Sequence, residues 1–109
     1  MYVPGAFWSA AHHGIPLLSI MHNNRGYHQE FMHLQRMAAR RQRGIDGSSL
    51  VGNELDNPAI DFAKITSGMG VWSEGPITDP SEIGGAFKRA LDVVEQGEPA
   101  LVDVVCQPR

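Results

Sequence analysis

The sequence predicts an α/β domain, a partial parallel sheet flanked by helices, on three observations. Two short apolar runs, Ile15 to His22 and Pro99 to Cys106, are bounded by turn residues, as strands buried on both faces of a parallel sheet are. Segments with capping signals and helical spacing stand before and between them. Helices and strands therefore alternate at the spacing of βα units, which close with right-handed crossovers.

The first helix runs from about Gly5 to His13, where Phe7, Trp8, Ala10 and Ala11 favour helix. Gly14 and Pro16 stop it. The strand from Ile15 to His22 follows, and Asn23-Asn24-Arg25-Gly26 makes a polar turn at its carboxyl end. Tyr27 to about Arg43 reads as a helix with a weak apolar face on Phe31 and Leu34, and with Arg36, Arg40, Arg41 and Arg43 towards its end. Basic residues there complement the helix dipole, so they read as a solvated last turn. Gly44 to Asn57 is rich in Gly, Ser, Asn and Asp without a period, a loop long enough to be functional or mobile. Asn57-Pro58 supplies a cap and a proline at the first helical position, and Ile60, Phe62 or Ala63, Ile65 and Met69 follow as an apolar face. Val71-Trp72 opens a short strand towards Gly75-Pro76. Asp79 then caps a helix with Glu82 in capping-box spacing, and Ile83, Phe87, Ala90, Leu91 and Val94 keep the 3.6-residue period up to Gly97. The run ending at Cys106 completes the chain as a buried strand.

Composition narrows the function. The 109 residues are 42% hydrophobic and 19% charged, which suits one small domain, given about 150 residues per domain as a rule. A net charge of -3 argues against a nucleic-acid partner, and no apolar run reaches the roughly 20 residues of a membrane span. The single Cys106 excludes an internal disulfide and reads as a small core residue. The expected compartment is the cytoplasm. The five histidines, at 12, 13, 22, 28 and 33, have no metal-binding spacing on one helix. Among them His28 stands beside the polar turn and is the candidate for proton transfer. Trp8 and Trp72 read as packing residues.

In open α/β sheets ligands bind beyond the carboxyl ends of the strands, where Asn23 to Tyr27 falls. Locally that stretch fits two readings. It is a plain turn, since Asn tolerates left-handed conformations, or it is a source of hard oxygen ligands for Mg²⁺ or Ca²⁺. Its glycine would let another backbone or a ligand come close.

Three separated stretches in order carry a resemblance. Asn23-Asn24 closes a stretch whose inner helix Trp8-Ser9-Ala10-Ala11 resembles; Asp56-Asn57-Pro58-Ala59-Ile60-Asp61-Phe62-Ala63 and Gly97-Glu98-Pro99-Ala100-Leu101-Val102-Asp103-Val104 follow. Together they resemble the C-terminal, diphosphate-binding domain of thiamine-diphosphate enzymes in the superfamily of acetolactate synthase, benzoylformate decarboxylase and pyruvate decarboxylase. The resemblance implies thiamine diphosphate and Mg²⁺ as cofactors and a small 2-keto acid as substrate, decarboxylated or joined to a second carbonyl. It implies that the Asn24 side-chain oxygen and the Gly26 carbonyl hold Mg²⁺, that Tyr27, His28 and Gln29 lie beside the diphosphate or the reaction chamber, and that Asn23 holds the turn. Residues 44 to 57 would belong to the region covering the active centre.

The family's Gly-Asp-Gly triplet, whose Asp is a further metal ligand, does not occur in these 109 residues. No Glu matches the cofactor-activating one of the separate pyrimidine-binding domain. The expectation is therefore that residues 1–109 form the C-terminal portion of such a domain in a longer, homo-oligomeric polypeptide, inactive in isolation. The alternative is a stand-alone, non-catalytic flavodoxin-like binding or interaction module.

Overall fold

A computed structural model describes residues 3–107. In chain order the elements are α1 (Gly5–His12), β1 (Leu18–Asn23), α2 (His28–Arg40), a 3₁₀ turn (Gly47–Leu50), α3 (Phe62–Ser67), β2 (Trp72–Ile77), α4 (Pro80–Glu95) and β3 (Ala100–Val105). They fall into two compact units. One joins the chain up to Asn23 with residues 61–105; the other holds Asn24–Ile60 with the chain from Cys106 onward. Among the described residues no helix is long and apolar enough to cross a membrane.

The first unit contains a three-stranded parallel sheet in the order β1-β3-β2. Ala100 faces Leu18 on one side and Trp72 on the other, and a register shift separates Glu74 from Ile77 on β2. The last strand in sequence is thus the middle one in space. Its residues from Ala100 to Val104 are all buried, which explains a run that is apolar except at Asp103. Leu101 and Val102 are fully enclosed, a burial that stabilises by roughly 1.5–3 kcal/mol each.

Ser73 and Glu74 are successive strand residues and so point to opposite faces of the sheet. The Ser73 hydroxyl hydrogen-bonds Thr66 of α3 at 2.7 Å, whereas Glu74 receives the guanidinium of Arg89 from α4. α3 and α4 therefore cover opposite faces. This is the outcome required by right-handed crossovers running outward from β1 to β2 and back from β2 to β3. Ala86 and Ala90 are the fully buried residues of α4, and their small side chains let the helix lie close to the strands. The bidentate bond from Arg89 holds the Glu74 carboxyl below its ordinary range and raises the guanidinium further.

Four expectations are corrected. β1 begins at Leu18 rather than Ile15, and it is an edge strand of this sheet, with Ile20 53% exposed, rather than buried on both faces. α3 starts at Phe62, where the Asp61 carboxylate accepts the Lys64 N–H at 2.8 Å; Asn57-Pro58 instead lies in a turn closed by a bridge between Asp56 and Ala59. Trp8 is 55% exposed and stacks on His12 at 4.9 Å, so it is no core residue. Cys106 is half-buried and lies just beyond β3.

In the second unit α2 ends at Arg40, short of Arg43. The stretch after it, without periodicity, is ordered by local side-chain bonds. The Asp46 carboxylate accepts the Ser48 N–H at 2.9 Å and caps the 3₁₀ turn, which packs against α2. The Ser48 hydroxyl, with that N–H, keeps the Asp46 carboxyl below its usual range.

Candidate functional site

Each unit holds one polar group of interest. In the sheet unit, Asn23 closes β1 and its side-chain N–H donates to the Asp103 carboxylate at 3.4 Å. Both residues are buried, Asp103 completely. Their register places them on the same face, since Asp103 is level with Met21 and Asn23 with Val105. An aspartate inside the apolar run of β3 was a visible signal in the sequence, but its partner depends on strand pairing.

In the second unit the chain turns through Asn24, Arg25 and Gly26. Arg25 adopts a left-handed conformation, φ 56°, a state that costs a non-glycine residue roughly 1–2 kcal/mol. The Gly26 N–H donates to the Asn24 side-chain oxygen at 3.3 Å, which makes an Asx turn. Asn24 and Gly26 are both half-buried.

A second segment braces this turn. Gly26 forms an antiparallel bridge with Glu54, in which the Tyr27 N–H donates to the Asn53 carbonyl and the Leu55 N–H to the Arg25 carbonyl, each at 2.8 Å. Those two bonds use the carbonyl of Arg25 and the N–H of Tyr27, not the carbonyl of Gly26. A Cβ on Gly26 would stand 2.8 Å from the Asn53 carbonyl oxygen, so any other residue would push the two backbones apart. Close approach, rather than an unusual φ, is the reason for glycine here. Asn53 and Leu55 carry no local sequence signal for this role, because they act through their backbones.

The structure brings Asn24, Gly26 and Tyr27 together in one unit. Tyr27 is the residue before α2 and is partly exposed. His28 begins α2, with its ring 5.8 Å from that of Phe31 and its Nε2 buried without a hydrogen-bond partner among the described residues. A cavity of about 390 Å³ elsewhere in this unit is lined by Leu34, Met37, Arg41, Ile45 and Ser49 among others, and by none of these four residues.

Chemically, the turn offers two hard oxygens, the amide oxygen of Asn24 and the peptide carbonyl of Gly26. They suit a hard divalent cation and would fill two of its six or more positions. Neither charge nor sulfur donors stand in this pair, which disfavours a transition-metal centre. Among the described residues no three His, Cys, Asp or Glu side chains converge to hold a metal ion.

The family described as "Thiamine pyrophosphate enzyme, C-terminal TPP binding domain" matches residues 1–104. A protein of Mycobacterium tuberculosis named "Putative acetolactate synthase large subunit IlvX" is 32% identical over 105 residues. That alignment covers 96% of this chain and 19% of the mycobacterial protein, so the chain spans about a fifth of its relative's length. No solved structure matches the chain significantly.

Proposed function

Since this chain belongs to the thiamine pyrophosphate enzyme family, through the family's C-terminal cofactor-binding domain, we propose that its Asn24–Gly26 turn anchors the diphosphate of thiamine diphosphate through Mg²⁺. The amide oxygen of Asn24 and the carbonyl of Gly26 are the ligands, and Tyr27 lies beside the diphosphate. The observation that carries this reading is the braced turn, which presents two hard oxygens and leaves the Gly26 carbonyl out of the bridge that holds it. When bound, the cofactor supplies a carbon nucleophile for a keto carbon, a reactivity no side chain has.

The residues of this chain orient and hold. The Asx turn fixes the direction of the Asn24 oxygen, and the bridge to Glu54 fixes the Gly26 peptide. His28 is the candidate for holding or moving a proton at Nε2, its buried nitrogen, which has no hydrogen-bond partner among the described residues. The reaction we infer is that of an enzyme acting on 2-keto acids, by acetolactate-synthase-like carboligation or by decarboxylation; the mycobacterial relative's name supports the former. In this reading residues 1–109 are the C-terminal portion of a longer, cytoplasmic homo-oligomeric polypeptide that supplies the remaining metal ligand and the activating Glu. Alone they do not catalyse. A stand-alone flavodoxin-like module has the family match against it.

The test is Asn24→Ala in the product of the native gene. Titration of Mg²⁺ in the presence of thiamine diphosphate should show cation affinity weakened by at least about tenfold, with the fold retained. Unchanged affinity would refute the ligand assignment.

A further inference from the structure

We propose that Asn53 is a positioning residue, and that the segment 46–55 clamps the Gly26 carbonyl so that cation binding at the turn and order in this segment are coupled. The proposal rests on the cation reading above. Asn53 is tied into its own segment by two bonds: its N–H donates to the Leu50 carbonyl at 2.9 Å, and its side-chain N–H to the Ser49 carbonyl at 2.8 Å. Leu50 ends the 3₁₀ turn that Asp46 caps. The carbonyl of the same Asn53 accepts the Tyr27 N–H and occupies the space a Cβ on Gly26 would need. One oxygen therefore fixes both the height and the orientation of the Gly26–Tyr27 peptide, and that peptide contains the proposed carbonyl ligand.

A peptide group can rotate unless both its flanks are held. On the far side of Gly26, the Leu55 N–H holds the Arg25 carbonyl at 2.8 Å. The two clamp bonds flank the ligand and come from a segment that has no ligand of its own. A ligand that requires the clamped form must stabilise the clamp by the same free energy with which the clamp improves its affinity. The coupling thus runs from the Asp46 cap, through Asn53, to the carbonyl of Gly26.

The experiment uses the native gene product with Mg²⁺ and thiamine diphosphate, in wild type, Asn24→Ala and Asn53→Ala. It reads cation affinity by calorimetry and amide hydrogen exchange at Tyr27 and Leu55, the two clamp donors. Cation should slow exchange at both amides in the wild type and not in Asn24→Ala. Asn53→Ala should exchange faster there without cation and bind Mg²⁺ about tenfold more weakly. A purely structural role for Asn53 would lower the melting temperature without making these amides responsive to cation. If Asn24→Ala weakens binding but the wild-type amides ignore the cation, the clamp is overturned and the ligand reading stands. Unchanged affinity in a folded Asn53→Ala also overturns it. If Asn24→Ala binds as well as wild type, the ligand reading falls and the clamp with it. Should Asn53→Ala fail to fold, the wild-type exchange result decides alone.

Discussion

Two neighbouring asparagines divide the work of this turn. Asn23 is buried and donates to a fully buried carboxylate, whereas Asn24 is half-buried and closes an Asx bond to Gly26. Removing a buried donor beside a carboxylate costs roughly 1–3 kcal/mol, while loss of a partly solvated bond costs about 0.5 kcal/mol. Asn23→Ala should therefore lower the urea midpoint clearly and Asn24→Ala hardly at all, the reverse of the order in cation affinity that the proposed ligand role predicts. Equal midpoints for the two variants would contradict this division. From the residues alone the stretch reads first as a plain turn and second as a ligand set, because Asn suits both. What distinguishes the two asparagines in the structure is burial, since Asn23 is buried against Asp103 of β3 and Asn24 is half-buried.

At the level of elements, the caps followed local chemistry. Asp79 opens α4 by accepting the Ser81 N–H at 2.8 Å, a bond that keeps its carboxyl below the ordinary range. The helix expected from Asn57-Pro58 did not form there because Asp61 offers the same capping chemistry a few residues on, next to the buried Phe62 and Ala63. Burial chose between two equivalent start signals. β2 shows the opposite dependence. Gly75 has φ 133°, and a Cβ there would lie 2.5 Å from the Asp103 carbonyl oxygen on the neighbouring strand. Gly75→Ala should destabilise by about 2 kcal/mol or more, through strain and displacement of β3 from its register. The check is the denaturation midpoint, and a variant as stable as wild type would show that β2 can relax without disturbing the middle strand.

For the whole molecule, the prediction concerns what the 109 residues belong to. A peptide from this chain, traced in its source by mass spectrometry, should come from a polypeptide several times heavier than 11.9 kDa. A product of 11.9 kDa would end the proposal of a longer enzyme and leave a binding module. The sequence by itself determined the order of strands and helices and of the family motifs, though not where β1 and α3 begin, because propensity, capping and apolar runs act over a few residues. Only the tertiary structure decided that β3 lies between β1 and β2, that the apolar Ile20 belongs to an edge strand, and that Asn53 rests on Gly26. Each of those is an encounter between residues far apart in the chain. Its outcome depends on packing and backbone pairing, to which the local pattern of side chains is blind.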